Sequence, residues 1–256
     1  MKAILSATEH DYYAMPLPFV VYSWEKIGIE CIVFIPSGDN PKIELAKSYC
    51  KKASFVEFNC EEKRIPTYSQ VSRLFGSCVV DNKNETIITG DSDLAVFGDT
   101  FKKLDDGNIH VVGADLTNNN EYPMCFIAMP AHKWDSVMKI TKGYQEHLSD
   151  IIDCIEGDNI RGNNWFLDQF LIKKNLDESG EPVIIHNRSN GQNQFAMHRA
   201  DRDGWHYDVN TIIDSHLPRP LTIEDNFNKV YNLLKEKYPQ DDLGWMIEYR
   251  NKYWSN

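Results

Sequence analysis

The sequence predicts an α/β fold with a mostly parallel central sheet flanked by helices, and three observations lead there. Four short apolar runs, at 2–7, 30–35, 54–58 and 85–89, carry Ile, Val and Phe and end in polar or turn residues. Segments with helical spacing of apolar residues stand between them. The fourth run ends in Gly90-Asp91-Ser92-Asp93, an acidic cluster where a parallel sheet holds its ligands, at the carboxyl ends of its strands.

Taken in order, residues 2–7 read as a buried first strand rather than a secretory leader, because the run breaks into the acidic, aromatic Glu9-His10-Asp11-Tyr12-Tyr13. A helix is expected from Pro18 to Ile27 and a second strand from Glu30 to Ile35, closed by the turn residues Pro36-Ser37-Gly38-Asp39. Ile43 to Lys51 reads as a helix, Ser54 to Phe58 as a strand, Thr67 to Val79 as a helix and Glu85 to Thr89 as a strand. Beyond this the pattern loosens. Val111–Asp115 and Cys125–Ala128 are expected strands, with helices at Trp134–Lys139, His147–Ile155, Asn164–Lys174 and Asn226–Lys237. Arg188 to Gln194, rich in Asn, Gly and Gln, reads as a surface loop. Without internal repeats or low-complexity tracts, 1–256 is expected to be a single domain, with 1–115 as a nucleotide-binding half and 116–256 as an acceptor-side half.

Composition narrows the function. The formal net charge of -11 argues against a chain that grips nucleic acid broadly, although a charged small molecule can still be held locally through a metal. No run approaches the roughly 20 apolar residues of a membrane span. The cysteines Cys31, Cys50, Cys60, Cys78, Cys125 and Cys154 form no CxxC pair and mostly sit in apolar runs, so free thiols in a reducing, cytoplasmic compartment are expected.

Asp91 and Asp93, two positions apart after a buried run, can meet one divalent cation directly or through water. Hard cations such as Mg²⁺ or Mn²⁺ take such oxygen ligands and keep positions open for substrate phosphates. The same triplet also occurs in plain turns. A second chemistry competes for it: Thr89 to Gly98 looks like the acidic loop of flap-type 5′ nucleases, and Gly157 to Gly162 resembles a segment of phage members of that family. Those enzymes need further carboxylates on the preceding helix, because two metals share their site. Here that helix offers Gln70 and Arg73 and no acid, and Asn163-Asn164-Trp165 follows where a helix-hairpin-helix is expected.

Six segments in order carry a resemblance: Tyr68 to Phe75, Asp91 to Asp93, Tyr122 to Cys125, Asp201 to Trp205, Asp214 to Pro220 and Asp241 to Trp245. Together they make the chain similar to small nucleotide-sugar transferases of the glycosyltransferase A-type fold, including a glycosyltransferase domain of large algal viruses; a viral origin would place the chain in host cytoplasm. The resemblance implies sugar transfer from a nucleotide-diphosphate donor, a UDP-sugar by preference, to a glycan or other hydroxyl. It implies Mn²⁺ or Mg²⁺ on Asp93, with Asp91 towards the metal or the donor ribose and His216 as a late ligand; His198 is the rival. Arg73 would face the diphosphate with Ser92, and Thr8 and Glu9 would border the base. Asp168, with Gln169 where the family often has a second acid, would either take the acceptor proton as general base, with inversion, or hold the donor sugar. Trp134, Trp165 and Trp205 are candidate platforms for sugar rings. A non-catalytic nucleotide- or sugar-binding module is the remaining reading, and it would have no need of Asp91, Asp93 and His216 together.

If the cysteines are free thiols, the thermal midpoint should not move with reductant. A fall of several degrees would instead reveal a disulfide, which typically contributes about 2–4 kcal/mol.

Overall fold

Continuous apolar runs become strands that are buried on both faces, which is what a parallel sheet covered by helices requires. The computed structural model describes residues 1–36, 40–141, 143, 146, 166–189, 194–196, 198–202 and 204–255. The four predicted runs form β1 (Lys2–Ser6), β2 (Glu30–Ile35), β3 (Ser54–Glu57) and β4 (Thr86–Thr89). Along β1, Ala3 and Leu5 enter one core and Ile4 the other; on β4, Ile88 and Ile87 divide the same way. That is the period-2 alternation of a strand packed on both sides.

The remaining strands are β5 (Leu94–Val96), β6 (Ile109–Val112), β7 (Ile127–Pro130), β8 (Val183–His186) and β9 (Asp214–His216). The main sheet runs β3-β2-β1-β4-β7-β6-β8, and β5 pairs with β9 in a separate ribbon. β3, β2, β1 and β4 are mutually parallel, β7 is antiparallel to both β4 and β6, and β8 is parallel to β6. From β1 the chain moves outward to β2 and β3, then returns to β4 on the other side of β1. The crevice of a doubly wound sheet lies at such a reversal.

One face carries α1 (Asp11–Ala14), α2 (Leu17–Lys26), α3 (Pro41–Tyr49), α7 (Glu224–Lys237) and α8 (Gly244–Ser255). The other carries α4 (Ile65–Ser72), α5 (Ala131–Val137) and α6 (Leu167–Ser179). Asn40 caps α3 by accepting from Lys42 N at 2.9 Å, and Gly180, at φ 67°, ends α6 in the left-handed conformation that suits glycine.

Several expectations need correction. The helix expected over Thr67–Val79 is α4 followed by a 3₁₀ run, Arg73–Val79, kinked at Phe75. The tighter winding presses Gly76 onto β1, where a Cβ would stand 2.5 Å from Ile4 Cγ1. β6 stops at Val112 because Gly113 turns at φ 85°, and Ala114–Leu116 is a 3₁₀ turn rather than strand. β7 lies two residues beyond its expected place, in register with β4 through Thr86 and Pro130. Arg188 is no surface residue, being 2% exposed. The ribbon, β8 and α8 were not foreseen. The helix expected at His147–Ile155, Trp165, Cys154, most of the Pro36–Asp39 turn and the Gly157–Gly162 segment lie outside the described residues. The five described cysteines are unpaired. Among the described residues no helix is long and apolar enough to cross a membrane.

Gly76→Ala should lower stability by about 1–3 kcal/mol, the range for overpacking a filled core. Urea unfolding measures it, as a lower midpoint with an unchanged slope; an unshifted midpoint would mean that Ile4 yields at no cost.

Candidate active site

The site begins where β1 and β4 end. Gly90 N donates to Ile4 O at 2.9 Å, and a Cβ on Gly90 would meet Leu5 Cδ2 at 2.6 Å, so only glycine lets the strand exits lie this close. Asp91, Ser92 and Asp93 follow directly. They line a cavity of about 530 Å³ with Thr8, Tyr12 and Tyr13 after β1, Gln70 and Arg73 from the α4 side, Asp168 and Gln169 at the start of α6, and Arg219.

Arg73 organises this space. Its Nη1 donates to Gly90 O at 3.0 Å and to Asp91 Oδ1, and its Nη2 donates to Asp168 Oδ2 at 2.6 Å. Arg73 is 8% exposed and Asp168 2%, so these are buried charge-assisted bonds. Burial pushes the Asp91 carboxyl up, but the Arg73 charge, followed by His216, outweighs it and holds Asp91 well below the usual carboxylate range. At Asp168 burial prevails over Arg73, and its carboxyl lies above the usual range. The other Asp168 oxygen accepts from Gln169 N at 2.9 Å.

The β5–β9 ribbon delivers His216. Its register sets His216 opposite Leu94, and Leu217 N donates to Asp93 O at 2.8 Å. One ligand atom each from Asp91, Asp93 and His216 therefore lies within 4.8 Å of the others, and His216 Nε2 is 3.8 Å from Asp91 Oδ2. Asp93 Oδ2 is buried, and the Arg219 guanidinium forms an ion pair with it. Arg219 also lies over the rings of Tyr12 and Tyr13, at 6.0 and 5.3 Å from their centroids. Two carboxylates and an imidazole are a donor set that fits a borderline divalent cation such as Mn²⁺.

Behind His216 stands a buried charge network. Arg188 grips Asp214 with two bonds, at 2.5 and 3.0 Å. Arg199 Nε lies 3.2 Å from Asp214 Oδ1 and 3.0 Å from Asp201 Oδ1, and its Nη2 meets His216 Nδ1. Asp201 Oδ1 also accepts from Ser215 Oγ and His216 N, each at 3.1 Å.

The structure brings together Thr8, Arg73, Asp91, Ser92, Asp93, Asp168 and Gln169 at the cavity, with His216 completing the three-ligand cluster. Glu9 stands beside them rather than in the wall, and its Oε2 is buried without a hydrogen-bond partner. His198 is exposed and takes no part in the cluster. Trp134 is 1% exposed and bonds Ile87 O through its indole N–H, so it is core and no sugar platform. Trp205 packs half-buried on the other core and is absent from the cavity wall. Sequence reasoning missed Arg188, Arg199 and Arg219. Only the nearness of Arg219 to His216 hinted at any of them.

The sequence matches no family model and no curated protein. The fold does have counterparts among solved structures. The galactosyltransferase LgtC, solved in complex with donor and acceptor sugar analogues, superposes with a TM-score of 0.52 at 13% identity, over 96% of this chain and 99% of that one. The glycosyltransferase GlyE of Streptococcus pneumoniae TIGR4 gives 0.53 at 12% identity, over 99% of this chain and 63% of GlyE. At such identities the likeness concerns the fold, that of the nucleotide-diphospho-sugar transferases of A type.

Arg73→Ala leaves the buried Asp168 and the half-buried Asp91 without their cation and should cost about 3–5 kcal/mol. In an Asp168→Asn background the loss should shrink, since one of those charges is gone. Denaturant unfolding of the four proteins measures both; a loss of Arg73 that costs nothing would mean that the pair is solvated.

Proposed function

We propose that this chain transfers a sugar from a nucleotide-diphosphate donor, by preference a UDP-sugar, to a glycan or other hydroxyl acceptor, with Mn²⁺ or Mg²⁺ held by Asp91, Asp93 and His216. The observation that carries the reading is the convergence of those three ligands at the reversal point of an A-type sheet, beside a cavity of about 530 Å³ that also holds Arg73 and Arg219. A departing nucleoside diphosphate develops negative charge, and a bound divalent cation supplies Lewis-acid stabilisation to it.

The chain's own residues do the rest. Tyr12 and Tyr13, with Thr8, form an aromatic and polar wall for the base, and Glu9 borders them from behind that wall. Asp91 and Ser92 take the ribose side. Arg219 comes from the segment just after His216, and its guanidinium can leave Asp93 for the diphosphate once a cation takes over that carboxylate. Arg73 is already committed to two carboxylates, so its part is to hold Asp91 and Asp168 in place rather than to grip the donor. Asp168 and Gln169 face the cavity from the α6 start and hold the sugar. Both Asp168 oxygens already accept hydrogen bonds, which favours sugar positioning over proton abstraction. In this reading 1–115 supplies most of the nucleotide side, and 116–256 supplies the sugar and acceptor side.

In the nuclease alternative, a second metal would need acids where Arg73 stands. In a thermal-shift panel, a nucleotide sugar should raise the melting temperature in the presence of Mn²⁺ and not in excess chelator, by mass action on the folded state. Asp93→Asn should keep the fold and lose both the shift and the transfer. Indifference to every nucleotide sugar, together with metal-dependent cutting of branched DNA, would reverse the assignment.

A further inference from the structure

What surrounds Nδ1 of His216 decides whether Nε2 can face a cation. A neutral imidazole carries one N–H, so a bare Nε2 requires the hydrogen on Nδ1, and that N–H needs an acceptor. Metal-bound histidines regularly donate their second ring N–H to a carboxylate or carbonyl. In this structure Nη2 of Arg199 meets Nδ1 instead. A guanidinium has donors and no acceptor, so the contact fits only the tautomer with its hydrogen on Nε2, towards Asp91 Oδ2 at 3.8 Å.

The acceptor for the other tautomer is close by. Asp201 Oδ2 lies 4.0 Å from Nδ1, while Oδ1 of the same carboxylate is tied to His216 N and Ser215 Oγ. A small rotation of the ring or carboxylate closes that gap. Arg199 can yield without becoming an unpaired buried charge, because its Nε remains near Asp201 Oδ1 and Asp214 Oδ1. Asp214, 0% exposed, keeps its two bonds to Arg188.

We infer that Arg199 and Asp201 are positioning residues that compete for Nδ1 of His216, and that their exchange couples the ring tautomer to cation binding. With Arg199 on Nδ1 the ring shows N–H to the Asp91 side; with Asp201 on Nδ1 it shows a lone pair. No group changes charge: Nε2 gives its hydrogen to water, Nδ1 takes one from water, and the ring stays neutral. The inference rests on the cation site proposed above.

The direct test is the long-range proton–nitrogen spectrum of the histidine rings in nitrogen-15-labelled full-length protein. The His216 signals are identified by their loss in His216→Gln, and Zn²⁺ serves as a diamagnetic probe. The metal-free protein should hold His216 as the Nε2–H tautomer, and saturating Zn²⁺ should convert it to Nδ1–H. A His216 already Nδ1–H without metal, or one that stays Nε2–H with Zn²⁺ bound, overturns the inference and spares the cation site. If neither Zn²⁺ nor Mn²⁺ binds, the site reading falls and takes the inference with it. Asp201→Asn keeps one oxygen for the backbone and Ser215 but offers an amide donor in place of Oδ2. It should weaken Mn²⁺ binding by about 10–100-fold, the usual cost of losing such a partner, at a temperature where both proteins are folded. The metal-free melting temperature should fall as well, because the buried Arg199 loses a charged partner. Unchanged Mn²⁺ affinity would remove Asp201 from the proposal; should Asp201→Asn not fold, the wild-type spectra still decide.

Discussion

A guanidinium buried between two carboxylates sets the geometry on which the rest of the site depends. Arg73 joins the end of β4, through Gly90 O and Asp91, to the start of α6, through Asp168. Each of these charges alone would be costly to desolvate, and together they are tolerable only in close register. The helix can therefore not drift from the sheet without exposing an unpaired ion. The kink after α4 belongs to the same constraint, because the 3₁₀ run turns Arg73 towards the strand exits while Gly76 lies flat on Ile4.

A second cluster of the same kind holds the far wall. Arg188, Arg199, Asp201 and Asp214 fix β9 from behind, and β9 supplies His216. An acidic chain thus builds its candidate site on a few buried arginines. Arginine is usually a surface residue, and a buried one shows in a sequence only if its partner can be guessed. That is why the Asp91–Asp93 pair was legible, standing after a buried run beside a glycine, whereas Arg188 and Arg199 were not. The strands β1, β2 and β4 were legible for the opposite reason: burial on both faces leaves a run of apolar residues. β9 reads Asp-Ser-His, with no apolar alternation to mark it as a strand.

The six segments that carried the family resemblance separate by task. Tyr68–Phe75 and Asp91–Asp93 meet at the cavity through Arg73. Asp201–Trp205 and Asp214–Pro220, far less suggestive singly, are two halves of the support for His216. Tyr122–Cys125 lies against the α6 start, where Tyr122 N donates to Gln169 O at 3.2 Å. Asp241–Trp245 is structural: Asp241 accepts from Tyr22 and pairs with Lys26, and Trp245 packs among Phe19, Tyr22 and Tyr49. A pattern of weak motifs therefore reported a shared scaffold.

The β5–β9 ribbon pairs only three residues on each strand and stands apart from the main sheet. The ribbon is nonetheless deeply buried: Leu94, Ala95 and Val96 are at most 1% exposed, and Asp214 and Ser215 are 0%. With Arg188 and Arg199 gripping Asp214, its opening is expected to cost nearly as much as opening the core. The imidazole is therefore held beside the two carboxylates before anything arrives. A cation that draws on nitrogen would meet its ligand already in place, with little ordering left to offset at binding.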